Sequence, residues 1–112
     1  HLGVVLGSIT LVGWLEICSP PPGRILGRHP RRGANAPGAD ADVVVYDPQA
    51  RQVISAATHH LNVDYSAYEG MEITGKVDTV LSRGRVVVDS TGFRGAAGHG
   101  RFLSRELNQY LV

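Results

Sequence analysis

The sequence predicts an α+β chain: a helical N-terminal segment, then a β-rich portion of a small domain, then an extended C-terminal tail. Three observations predict it. Apolar residues recur at helical spacing only before Gly33. β-branched runs bounded by Asp, Pro and Gly appear only after it. The last stretch carries Gly92, Gly95, Gly98 and Gly100 and then sparse apolar residues in a polar background. The divisions implied are residues 1–33, 34–94 with a long internal loop at 56–70, and 95–112.

The helical segment opens with Ser8 or Thr10 as cap of a helix carrying Leu11, Val12, Leu15 and Cys18 on one side. Trp14 and Ile17 widen the stripe, and Gly13 weakens the helix by roughly 1 kcal/mol relative to Ala. Ser19 followed by Pro20 starts a second, short helix that carries Ile25 and Leu26 and stops at Gly27. Residues 28–41, rich in Arg, Gly, Ala and Pro, read as a loop.

Val43-Val44-Val45-Tyr46 reads as a strand covered on both faces. Gln52 to Ser55 reads as a second strand, returning through a turn at Pro48 to Arg51. Lys76 to Ser82 and Arg85 to Asp89 form a hairpin turning at Arg83-Gly84, with Val44 and Leu81 expected in the core. Between them, Ala56 to Gly70 is a polar and aromatic loop without periodicity, of a length that is usually functional or tied down by a neighbour. The tail holds Phe102, Leu103, Leu107 and Leu111, too sparse for a core of its own.

Composition excludes several functions. With 43% hydrophobic residues and a net charge of +1 over 112 residues, no field points to nucleic acid or an anionic membrane. The local cluster Arg24, Arg28, Arg31 and Arg32 has no interleaved aromatics, so it reads as a solvated segment or interdomain contact rather than a polyanion site. Leu2 to Leu6 is too short for a bilayer, which needs about 20 residues. The single Cys18 can form no internal disulfide and, beside Ile17, reads as a buried small hydrophobe. A soluble, cytoplasmic protein is expected. The first residue is His1, not Met, which suggests a piece of something longer.

No catalytic, substrate-binding or metal site is predicted. His59 and His60 are adjacent, so on a strand or a helix they diverge and rarely share an ion, even with Asp64 nearby. Asp40-Ala41-Asp42 has the spacing of a carboxylate pair, but Asp40 lies in a turn, where Asp side chains bond nearby amides. No phosphate cradle and no nucleophile elbow is present. The candidate interface residues are His59, His60, Tyr65, Tyr68, Phe102 and Leu103, which combine apolar area with polar tips or stand isolated in the tail.

Gly38-Ala39-Asp40-Ala41-Asp42-Val43-Val44-Val45-Tyr46-Asp47-Pro48 resembles the segment where amidohydrolase-superfamily chains leave the barrel for their small β-domain. Thr58-His59-His60 with Val63-Asp64-Tyr65 and Tyr68-Glu69-Gly70 narrows the resemblance to the dihydropyrimidinase and D-hydantoinase branch. Ser82-Arg83-Gly84 and Gly98-His99-Gly100-Arg101-Phe102 resemble its next hairpin and its tail. Trp14 to Ser19, Arg24 to Gly27 and Pro30 to Gly33 resemble its last barrel helices and their exit. The likeness runs over roughly residues 9–105, and His1 to Gly7 shows no counterpart.

The resemblance implies the C-terminal piece of a cyclic amidohydrolase with a TIM-like barrel and a small β-sandwich. In that family two zinc ions bridged by a carboxylated lysine activate hydroxide. It opens dihydropyrimidines or 5-substituted hydantoins to N-carbamoyl amino acids. The ligands would lie in the barrel, upstream, so none maps onto a residue here, and the piece by itself would be inactive. Its partners would be the remainder of the barrel enzyme and further copies, as a dimer or tetramer. The alternative is a non-catalytic dihydropyrimidinase-like interaction protein. Those carry a long tail rich in Ser, Thr and Pro, whereas no Pro follows Pro48 here.

Overall fold

The computed structural model describes residues 1–110. Residues 1–9 form successive turns, with the His1 carbonyl accepting from the Val5 amide. Helix α1 spans Leu11–Cys18 and is capped by Thr10, not Ser8: the Thr10 hydroxyl accepts from the Gly13 amide at 3.0 Å. Helix α2, Pro20–Ile25, starts with a proline at its first position and ends as Gly27 turns to φ +61°. A single four-stranded antiparallel sheet follows in the order β1-β2-β3-β4. Its strands are Val43–Val53, Glu72–Ser82, Arg85–Asp89 and Gly92–Phe93.

Two strand expectations are corrected. Gln52 to Ser55 does not return through a turn at residues 48–51; β1 runs on to Val53 beside β2. Between the pairs Asp47↔Lys76 and Arg51↔Thr74 three residues of β1 lie opposite Gly75 alone. The Asp47 carboxylate accepts from the amides of Gln49 and Ala50, so the turn chemistry makes a bulge inside one strand. Second, β4 forms at Gly92–Phe93, at the end of the β-rich portion, where no strand was expected. It is too short for any periodicity, and it is held by the pairs Val88↔Phe93 and Asp89↔Gly92.

The hairpin at Arg83-Gly84 forms as expected. Both turn residues have positive φ, +48° and +75°, the twist that matches two flanking strands. The turn is also held from outside: the Arg83 amide donates to the Asp42 carboxylate at 2.8 Å, and the Gly84 amide to the Ala41 carbonyl. Helices and sheet meet where Trp14 packs on Tyr46 with ring centroids 5.4 Å apart. Tyr46 lies across Gly75, whose φ of +104° and missing Cβ make the space for its ring.

Burial departs most from expectation. No hydrophobic residue among those described is fully buried. Val44, expected between two covered faces, is 58% exposed, and Leu81 is only half-buried. Cys18, expected in a core, is exposed. The physical reason is shared: one sheet and two short helices supply too few layers to cover these faces. The chain exposes 8591 Å2, where a compact 12.0 kDa monomer exposes about 6,000 Å2. Its radius of gyration is 16.0 Å, against about 13 Å for a compact domain of this length.

Candidate interface

Apolar surface without cover collects in three places. The first is a cleft of about 730 Å3 between the helices and β1, with Trp14, Leu15, Cys18, Leu26, Val44 and Val77 among its lining. The second is the loop after β1. The third is the tail.

The loop is clamped at its neck. The Glu69 carboxylate accepts from the Ala56 amide at 2.7 Å, the Gly70 amide donates to the Ile54 carbonyl, and the Ile54 amide to the Met71 carbonyl. The Ser55 hydroxyl, the Ala56 amide and nearby His59 hold the Glu69 carboxyl below its ordinary range. Ala56–Thr58 makes one 3-10 turn inside the neck. Beyond it, Leu61, Tyr65 and Tyr68 are 66%, 73% and 61% exposed. His60 is exposed but rests against Phe93 of β4, ring centroids 5.5 Å apart, while His59 is half-buried with Nδ1 unpartnered. The two histidines therefore face different surroundings.

The tail doubles back to the helices. The Glu106 amide donates to the Gly27 carbonyl, the Gln109 amide to the Arg24 carbonyl, and the Gln109 side chain to the His29 carbonyl at 2.9 Å. A side chain at position 27 would overlap the Glu106 backbone. With its main chain pinned, the tail leaves Phe102 92% and Leu107 80% exposed, and Leu103 half-buried. Leu111 lies outside the described residues.

The charged motifs resolve into internal bonds. Arg31 pairs with Asp40 at 3.1 Å, and Arg32 reaches both Asp40 and Asp42. Asp40 thus serves arginines rather than the nearby amides expected of a turn aspartate, because the 28–41 loop folds both cations onto it. Arg28 donates to the Leu103 carbonyl. The Arg cluster is in large part an internal contact.

Lys76, the only lysine, is exposed on β2 opposite Asp47. Among the described residues no three His, Cys, Asp or Glu side chains converge on one point. No helix among them is long and apolar enough to cross a membrane.

No protein-family model matches the chain. Known proteins do. It is 57% identical over 112 residues to a D-hydantoinase of Streptomyces coelicolor, covering 100% of this chain and 24% of that protein. That alignment includes His1 to Gly7, so the first residues do have a counterpart. A D-hydantoinase of Geobacillus stearothermophilus is 45% identical over 103 residues, which is 92% of this chain and 22% of that protein. Among solved structures, the D-hydantoinase of Bacillus sp. AR9 superposes with a TM-score of 0.90 at 43% identity, over 95% of this chain and 23% of that one. The chain spans about a quarter of the length of the proteins it matches, and its uncovered faces are those of a part. It belongs to the D-hydantoinase and dihydropyrimidinase family and corresponds to the C-terminal region of its members.

Proposed function

We propose that this chain is the C-terminal part of a zinc-dependent cyclic amidase that opens the ring amide of dihydropyrimidines or 5-substituted hydantoins to N-carbamoyl amino acids. Its own role there is structural and oligomerising. Residues 1–33 close the barrel, residues 34–94 contribute one sheet of the small sandwich, and residues 95–112 are the tail. The metal centre and the substrate pocket belong to the preceding part of the polypeptide. His59, His60, Tyr65, Tyr68, Phe102 and Leu103 are contact residues, toward the barrel or a neighbouring copy in a dimer or tetramer.

One observation carries this reading. The chain exposes about 2,600 Å2 more than a compact monomer of its mass, roughly three times what one partner buries in an ordinary stable interface. Such surface is expected of a part of a larger protein, and the likeness to D-hydantoinases supports the reading of that protein as a cyclic amidase.

The test is a pair of assays. This chain replaces the matching segment of the Streptomyces coelicolor D-hydantoinase, and the 112-residue chain is also purified by itself. The chimera is expected to open 5-phenylhydantoin or dihydrouracil, and the isolated chain to show no turnover above a protein-free blank. Turnover by the isolated chain, or a folded and zinc-loaded chimera without turnover, overturns the reading.

A further inference from the structure

We propose that the recess formed by Arg83, Arg85, His99 and Arg101 is an oxyanion-binding site, taking a phosphate or carboxylate group. The recess is open, about 460 Å3, and lined by these four residues with Ala97 and Gly98. Three arginines and a histidine line it, and no acidic residue does. Among the described residues only Arg31, Arg32 and Arg94 make ion pairs; Arg24, Arg28, Arg51 and Arg105 make none either, but of the unpaired arginines Arg83, Arg85 and Arg101 share one recess. In a chain of net charge +1, three cations gathered without a counter-charge repel one another unless an anion joins them.

The scaffold around the recess is held in place. Arg83 is the first residue of a two-residue turn at φ +48°, where Asn, Asp or Gly would sit at lower cost. Its amide is held by Asp42, and the second carboxylate oxygen of Asp42 is engaged by Arg32, so that nearby acid is already neutralised. His99 bonds the Ser82 carbonyl through Nε2 at 3.1 Å. A carbonyl only accepts, so Nε2 carries the proton, and this bond ties the tail loop to the hairpin end. Arg85 follows the turn on β3, and Arg101 follows His99 by two residues. Two chain segments distant in sequence thus bring three arginines to one recess, and a guanidinium fork fits the oxygens of phosphate and carboxylate.

The oxyanion has two possible sources, a free small anion or an Asp or Glu carboxylate from elsewhere in the polypeptide or from a second copy. The experiment uses the full-length polypeptide carrying this segment. Inorganic phosphate is titrated by calorimetry, and urea midpoint and sedimentation mass are measured, for the parent and for Arg85→Gln/Arg101→Gln. Both side chains are exposed, so the substitutions leave packing intact. Stoichiometric phosphate binding that weakens at least tenfold in the variant supports the site with a free anion. No phosphate binding, with a lower midpoint or a smaller assembly in the variant, supports it with a protein carboxylate. Phosphate binding unaltered by the substitutions, or no binding with midpoint and mass unchanged, overturns the proposal. Neither of those results bears on the cyclic amidase reading, which stands on the chimera.

Discussion

The sheet and the helical third are held by different forces. The sheet keeps its shape by bonds close at hand: the register of β1 with β2, the positive-φ turn at Arg83-Gly84, and the carboxylates of Asp47, Glu69 and Asp89 on neighbouring amides. The helices carry Leu11, Val12, Leu15 and Ile17 at 42–64% exposure, while Trp14 packs on Tyr46 of the sheet. The difference teaches that local geometry can be complete while burial is not. Hydrogen bonds set conformation, but net stability needs apolar area removed from water.

That contrast can be broken most decisively at the level of the whole chain. The isolated 112 residues are expected to unfold without a sharp cooperative transition in urea and to bind a hydrophobic dye, whereas the longer polypeptide unfolds cooperatively. Circular dichroism against urea checks this; a steep transition for the isolated chain would show that these few layers suffice.

The next largest effect falls where the two regions meet. Gly75→Val in the longer polypeptide places a β-branched residue at φ +104° and pushes the Tyr46 ring off Trp14. A loss of about 3 kcal/mol is expected, from strain and lost packing together. Gly92→Val supplies the control, since its φ is +118° but nothing lies within 4 Å of a Cβ there. Equal losses would mean that strain alone matters and that the Trp14–Tyr46 contact contributes little.

A smaller effect is expected from the link between the 28–41 loop and the hairpin. Asp42→Ala removes the Arg32 ion pair and the bond from the Arg83 amide, for about 1–2 kcal/mol. The shift in urea midpoint should shrink little with added salt, because the amide bond is not an ion pair between free charges. A shift that vanishes in high salt would assign the whole effect to the surface pair.

The smallest effect is a dependence on acid. Hydrogen bonds from the Thr91 hydroxyl and amide, with Arg94 beside them, hold Asp89 below its ordinary value, as the Ser55 and Ala56 bonds do for Glu69. A lowered folded-state value means the unfolded chain takes up protons first. The stabilisation is therefore full above the ordinary carboxylate range and is lost as pH falls through the lowered folded-state values. In Asp89→Asn/Glu69→Gln the urea midpoint is expected to vary less between neutral and acid pH than in the parent; an unchanged slope would mean that other groups carry it.

Much of the local structure is legible in the residues themselves. Thr10, Ser19-Pro20 and Gly27 bound two helices, Arg83-Gly84 makes the hairpin, and the Thr58-His59-His60 and Tyr68-Glu69-Gly70 segments carry the family resemblance. These are short-range signals, since caps, turns and motifs depend on neighbours within a few residues. The misreadings are of another kind. Asp47 gives the same turn chemistry whether the chain reverses or only bulges, and the pairing of β1 with β2 decides which. Val44 and Cys18 look like core residues by type, yet both stay exposed.

By itself, then, the sequence determined the two short helices, the Arg83-Gly84 hairpin and the family resemblance, because each is encoded by residues close together in the chain. The tertiary structure alone decided which arginines are satisfied, with Arg31 and Arg32 on Asp40 and Asp42 but Arg83, Arg85 and Arg101 gathered around an open recess. It alone showed the tail folded back on Gly27 and the apolar faces left in water. Those are properties of segments brought together from distant positions, and residue type does not specify what lies across a gap in space.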